Sequence, residues 1–306
     1  MKNLNWDDLR IFSAVARART AFDAAIKLEM NQSTVTRRVH RLEAYIGSKL
    51  FDRNSRGHQL TSTGLRLLDH VEKLERTMFE VEVSTFGDST SLSGDIRIGT
   101  TEVFGSFFLA PHLAQFCAKH PAINIDLLPM PRNINLSKRE ADTSITLERP
   151  TLERFVTTKL LDYRMLPYAT EAYLKKAAPI KTLDDLRKHN WFDYIDDLIF
   201  TDQQPSLQQW IPNAKSSFRS TSMTAQYQAV QAGLGIAILP CFLGAATAGF
   251  VPILSHEIDI KRTYWLTAAS ERRELARVRT LWDYLKKVAY ANSNYLMGES
   301  CKMVWV

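Results

Sequence analysis

The sequence predicts an α/β chain in three parts: an N-terminal head dominated by helices, one long helix, and a larger domain of alternating strands and helices. Three observations predict it. The segment Asn31 to Ile46 carries an apolar stripe on one face and arginines on the other. The segment from Thr63 to about Thr85 repeats apolar residues at steps of four and three. From Asp95 onward, short apolar runs alternate with amphipathic ones.

In the head, Trp6 to Ala18 reads as a first amphipathic helix through Leu9, Phe12, Val15 and Ala16. Thr20 to Asp23 has the form of a capping box with Asp for Glu, opening a short helix with Phe22, Ala24, Ala25 and Leu28. The small pair Ala24 and Ala25 lets the next helix cross closely. Asn31 is a suitable N-cap for that helix, whose buried stripe is Val35, Val39, Leu42 and Ile46. Its other face presents Gln32, Ser33, Thr34, Thr36, Arg37, Arg38 and Arg41. Amide, hydroxyl and guanidinium groups in that pattern can read base edges in a major groove and hold phosphates. Two helices joined by a tight turn, the second basic on its open side, predict a helix-turn-helix.

Lys49 to Arg53 and His58 to Thr61 read as two strands joined by a turn at Asn54 to Gly57. That hairpin is a wing, bringing Arg53 and Arg56 toward the backbone or minor groove. From Arg37 to Arg66 there are seven Lys and Arg against Glu43 and Asp52, a net +5 out of the chain's +6. A basic excess so concentrated is the electrostatic footprint of a duplex binder.

The run from Leu9 to Gly64 resembles the winged helix-turn-helix of the LysR-type transcriptional regulators. The matching pieces are Leu9 to Val15, Ala24 and Ala25, Gln32 and Ser33 with Thr36 and Arg37, Leu42 and Glu43, Gly47, Leu50 to Arg53, and Leu60 and Thr61 with Gly64. One position departs: Glu29 stands in the turn where the family has glycine or another residue tolerant of positive φ. A left-handed Glu costs roughly 1 kcal/mol. The resemblance implies double-stranded operator DNA and a small-molecule effector as partners, a homodimer or homotetramer, and RNA polymerase as a further contact.

A chain of 306 residues exceeds one winged helix, and 45% hydrophobic content suffices for a sizeable core. No apolar run is long enough to span a bilayer, and the start, MKNLNWDDLR, lacks the apolar core of an export signal; a cytoplasmic protein is expected. Cys117, Cys241 and Cys301 are odd in number and far apart, which argues against disulfides or a zinc site. Walker A, GxGxxG, HExxH, GxSxG and CxxC patterns are absent, so no cofactor or metal is expected. An enzyme needs convergent nucleophile, base and orienting group, and none of the seven histidines sits in such a setting. A sequence-indifferent nucleoid protein would use the basic face but needs no ligand cleft.

The domains read as residues 1–62, a winged helix-turn-helix; 63–88, a linker and dimerisation helix; and 89–306, the effector domain. Leu67, Val71, Leu74, Met78 and Val81 form a heptad-like seam suited to pairing with a second copy. In the last part, strands are expected at Ile96 to Gly99, Ile123 to Leu128, Ser144 to Leu147, Thr157 to Leu161, Met165 to Ala169, Trp191 to Tyr194, Leu198 to Thr201, Ile236 to Leu239 and Arg262 to Thr267. Helices are expected at Gly105 to His120, Glu171 to Ala177, Thr182 to Lys188, Met223 to Gln231 and Ala276 to Ala289. With the run AGLGIAILP from Ala232 to Pro240, this order is similar to the LysR-type effector domain. That similarity implies two lobes of periplasmic-binding-protein-like α/β fold, about 92–163 with 265–295 and about 164–264, with a ligand cleft between them.

Ligands in open α/β folds bind at the carboxyl ends of strands. Those places hold Thr100, Thr101 and Glu102, then Glu148 and Arg149, then Ser222 and Thr224, with Tyr168 near the crossing between lobes. The resemblance favours Thr100, Thr101, Ser222 and the turn around Gly235. Thr and Ser at helix starts also serve as plain caps. Thr100 with Arg149 suits a carboxylate or other anion, whereas Glu102 facing the cleft repels one, so the effector's chemistry stays open.

Overall fold

The computed structural model describes residues 4–18, 20–54, 57–85, 92–130, 141–151, 155–204 and 207–306. The chain divides into two units, Met1–Ser89 and Thr90–Val306, each with its own apolar core.

In the first unit, α1 (Trp6–Ala18) buries Leu9, Ile11, Phe12 and Val15. Helix α2 (Ala21–Lys27) is capped by Thr20, whose Oγ1 accepts the Asp23 N–H at 3.0 Å. It buries Ala24 and Ala25, as their small size suggested, and leaves Phe22 exposed. The turn that follows sets Glu29 at φ 53°, the left-handed backbone anticipated there. Helix α3 (Gln32–Ile46) buries Val35, Val39 and Leu42 and ends at left-handed Gly47. Asn31 occupies the N-cap position without a side-chain bond, so its expected capping is not made. Strands β1 (Phe51–Asn54) and β2 (Gly57–Leu60) pair antiparallel, with Arg53 opposite His58.

Helix α4 (Ser62–Thr85) follows. The proposed seam is divided: Val71 is buried and Leu67 packs on the unit's own core, whereas Leu74 and Met78 are exposed. The side chain of Val81 lies outside the described residues.

The second unit runs in order: β3 (Gly94–Thr101), a π-helical turn (Phe104–Leu109) leading into α5 (Ala110–Lys119), β4 (Ile123–Met130), β5 (Thr143–Thr146), β6 (Phe155–Thr170), α6 (Glu171–Lys176) and β7 (Trp191–Asp193). Then come α7 (Leu207–Trp210), β8 (Ser216–Arg219), α8 (Met223–Gln231), β9 (Ala237–Pro240), α9 (Cys241–Gly244), β10 (Phe250–Pro252), β11 (Ile260–Ala269), α10 (Ser270–Arg273), α11 (Ala276–Ala291) and α12 (Ser293–Leu296). The main sheet has the order β10-β6-β11-β5-β3-β4, and β9 also pairs with β6. Strand β3 is parallel to β4 and β5, and β11 is antiparallel to β5 and β6. One lobe gathers β3, β4 and β5 with α5 and α11; the other gathers β7, β8 and β9 with α8. Strands β6 and β11 run through both, with a bulge between Tyr264 and Trp265.

Three expectations change. The strands Thr157 to Leu161 and Met165 to Ala169 are one 16-residue strand, because the polar residues between them are paired. Asp162 accepts from Lys159 Nζ at 2.6 Å and Thr263 Oγ1 at 2.7 Å, and Arg164 meets Asp259 at 2.7 Å. Leu198 to Thr201 is not a strand but a 3₁₀ turn (Asp196–Leu198) followed by irregular chain. Thr182 to Lys188 holds only a 3₁₀ turn at Asp185–Lys188, where Asp185 takes the N–H groups of Lys181 and Thr182 at 3.1 Å each. The Lys181 N–H, with the Lys188 ammonium at 3.2 Å, the Thr182 hydroxyl at 3.1 Å and the Thr182 N–H, holds the Asp185 carboxyl down to about 2.

Candidate functional site

The open face of α3 follows from its period. With Val35, Val39 and Leu42 in the core, Gln32, Ser33 and Arg37 are exposed and Thr34 and Thr36 half-buried. Gln32, Ser33, Thr36, Arg37 and His40 share one shallow concave surface. Arg37 has no ion-pair partner among the described residues. The bare N-cap gives the first-turn N–H groups of α3 no side-chain acceptor, although the Thr34 N–H donates to the Asn31 carbonyl at 3.0 Å, and a helix N-terminus of this kind favours an anion such as phosphate.

Arg38 and Arg41 are placed differently. Arg41 donates to Asp8 through Nε at 2.7 Å and Nη2 at 2.5 Å, in fork geometry. Arg38 donates to Asp7 Oδ2 at 2.5 Å and lies 3.6 Å from Asp8. Asp8 is buried, so its charge requires these partners. Two guanidinium groups that the sequence assigned to phosphates therefore clamp α3 to α1. A phosphate reaching either one must share it with a carboxylate.

Glu43 anchors the wing. Its side chain is buried; Oε1 accepts the Leu50 N–H at 2.8 Å and Phe51 N–H at 3.4 Å, and Oε2 accepts from Lys49 Nζ at 3.0 Å. Burial pushes the carboxyl up, but the donors from Leu50, Lys49, Phe51 and His40 outweigh it and leave it below its ordinary value. The side chain of Arg53 and the whole of Arg56 lie outside the described residues.

In the second unit, the space between the lobes is a small, partly open cleft. Tyr163 and Met165 of β6, Tyr264 of β11, Tyr194 after β7, and Phe200 form much of its wall. Tyr264 stacks on Tyr163 at 4.8 Å and on Phe104 at 4.2 Å. Burial raises all three tyrosines, Tyr264 to about 12, so they stay protonated at neutral pH. Thr101 lines the cleft and its hydroxyl lies 2.7 Å from the Tyr264 hydroxyl. Glu102 also lines it, and Ser222 Oγ donates to Glu102 Oε1 at 3.0 Å, joining the lobes. A second link joins the Thr201 hydroxyl to Glu148.

The match to known proteins covers both units. The family model described as LysR substrate binding domain matches residues 89–289. The model described as bacterial regulatory helix-turn-helix protein, lysR family, matches residues 6–65. The chain belongs to the LysR family of transcriptional regulators. The Mau operon transcriptional activator of Paracoccus denitrificans is 27% identical over 284 residues, 91% of this chain and 95% of that protein. Full-length OxyR from Pseudomonas aeruginosa has the same fold, with a TM-score of 0.68 at 19% identity, covering 94% of this chain and 95% of that one. CrgA from Neisseria meningitidis gives 0.56 at 22%, covering 93% and 99%.

In this LysR-family regulator the expected effector residues separate into two groups. Thr101 and Glu102 face the cleft, and Ser222 reaches it through Glu102 while also capping α8 by accepting the Ala225 N–H at 3.1 Å. The others do not line it. Thr100 is buried one residue earlier on β3, with its methyl against Gly105. Arg149 is exposed and lies over the Trp265 ring at 5.4 Å. Tyr168 is an odd number of residues from Tyr163 and Met165, so strand alternation turns it to the opposite face, where it packs on Gly244 and bonds Cys241. A Cβ at Gly235 would lie 2.7 Å from the Asn190 carbonyl and 2.8 Å from the Phe192 ring, so its role is close packing. The aromatic wall was missed, although the spacing of Tyr163 and Met165 on a strand was a usable signal.

Proposed function

We propose that the chain reads an operator with Gln32, Ser33, Thr34, Thr36 and Arg37 in the major groove, and that a ligand between the lobes controls that binding. The observation carrying this reading is Arg37. It is the exposed guanidinium on α3 that has no ion-pair partner among the described residues, beside Gln32 and Ser33, while Arg38 and Arg41 hold α3 in place. Arg53 and Arg56 of the wing supply phosphate or minor-groove contacts. Residues 1–62 act as the DNA-binding domain, 63–88 as the linker and dimerisation helix, and 89–306 as the effector domain. Exposed Leu74 and Met78 are the part of α4 left for a second copy, giving a homodimer or homotetramer that spans two half-sites. The protein works in the cytoplasm, with RNA polymerase as a further contact. No helix among the described residues is long and apolar enough to cross a membrane.

Energetically, a ligand shifts the lobes only by its difference in affinity for their two arrangements. The direct test is to map protection of the DNA flanking the protein's own gene, with and without candidate metabolites. Arg37→Ala is expected to cost roughly 1–3 kcal/mol on the specific site and relax preference at one position. Arg53→Ala is expected to weaken all sequences alike and lower the salt slope. Equal weakening of specific and random DNA by Arg37→Ala would overturn the assignment.

A further inference from the structure

We infer that the ligand of the interlobe cleft is a small organic cation, held by Glu102 and the surrounding aromatic rings. This rests on the proposed reading that the cleft is the effector site, and it specifies the chemistry. Glu102 is the one charged residue among the described residues lining the cleft. It is half-buried, and Ser222 satisfies only Oε1. The other oxygen, Oε2, is shielded from solvent and has no hydrogen-bond partner among the described residues. A shielded carboxylate oxygen without a donor is costly, and a ligand that brings a donor removes that cost.

The walls favour the same class. The rings of Tyr163, Tyr194 and Tyr264 line the space; Tyr264 is stacked on both Phe104 and Tyr163, so the ring face offered to a cation is that of Tyr194. Arg149, the residue that would have made the site suit an anion, lies outside the cleft on the Trp265 ring. An anion entering here would meet Glu102 with no described lysine, arginine or histidine on the lining to offset the repulsion. A cationic head on Oε2 also sits beside the Ser222 bond that joins the lobes, so its arrival bears on closure directly.

The test uses the unmodified full chain and three probes with one carbon skeleton: butylammonium, butanol and butyrate. Binding is read by calorimetric titration and by the shift of the second unit's melting transition. Butylammonium is expected to bind and raise that transition, with butanol weaker and butyrate without effect. Glu102→Gln is expected to weaken butylammonium roughly ten- to hundredfold, as for a hydrogen bond to a charged group, and to leave butanol unchanged. The ranking of the probes on the unmodified chain tests the class even if that variant folds poorly. Butyrate binding as well as or better than butylammonium would overturn the cationic class while leaving the cleft as the ligand site. Binding by none of the three would also overturn it, and the footprint on the operator would then show separately whether the regulator reading survives. Butylammonium binding that is unchanged in a folded Glu102→Gln protein would remove Glu102 from the site.

Discussion

Glu43 offers the most demanding test of how the wing is held. Glu43→Ala removes the acceptor of the Leu50 N–H at 2.8 Å and of the longer Phe51 bond at 3.4 Å, in a buried setting. A buried donor left without a partner costs about 1–3 kcal/mol. The second bond is long and adds less, and the exposed Lys49 ammonium loses little. The total is about 2–4 kcal/mol for the first unit, and a unit of this size shifts by roughly 4–8 °C per kcal/mol, so its transition is expected to fall by roughly 8–32 °C. Glu43→Gln keeps an oxygen for Leu50 and loses the charge, costing about 1 kcal/mol. Scanning calorimetry on the full chain should show the first unit's transition move and the second unit's stay. The balance of forces also fixes a pH window. Because donors hold the native carboxyl below its ordinary value, its stabilisation is complete above the ordinary carboxylate range. It is lost as pH falls through the lowered native value. The reasoning is refuted if Glu43→Ala melts with the wild type, or if Gln proves as damaging as Ala.

Glu29→Gly should raise the first unit's stability by about 0.5–1 kcal/mol, since φ 53° strains an exposed glutamate and not a glycine; denaturant midpoints measure it. Gly64→Ala should cost about 1–3 kcal/mol or more in the same assay, because the new methyl would collide with the Leu50 backbone carbonyl and lie 2.9 Å from Leu60 Cδ2. His112 is fully buried between the Phe108 and Trp305 rings, each 5.1 Å away, and burial pushes it down to about 4. Protonation therefore favours the unfolded chain. Stability should be undiminished above pH about 6.5 and fall by up to about 3 kcal/mol toward pH 4. His112→Leu should flatten that part of the pH profile, and an unchanged slope would count against the assignment.

The reach of the sequence was set by distance along the chain. The stripe Val35, Val39 and Leu42 lies within one helix, so its period gave both the buried face and the exposed Gln32, Ser33 and Arg37. The clamp on Arg38 and Arg41 was invisible because Asp7 and Asp8 come from another helix, some thirty residues earlier. Helical period says which residues face out, not which of them meet a neighbour. The interruption read between two strands came from Asp162 and Arg164, polar residues that cross-strand partners satisfy. Leu198 to Thr201 looked like a strand because it is apolar, yet Phe200 faces the cleft and not a sheet. The cleft itself joins side chains from β3, β6, β11 and the irregular chain after β7, a meeting that no local pattern encodes.

The 16-residue β6 mates with the 10-residue β11 along its whole length, so the two lobes share a spine. A hydrogen-bonded ribbon of two strands resists sliding and in-plane bending and yields most readily to torsion. A ligand in the cleft is therefore expected to act through the twist of this ribbon, and the bulge beside Tyr264, where local twist is greatest, lies next to it.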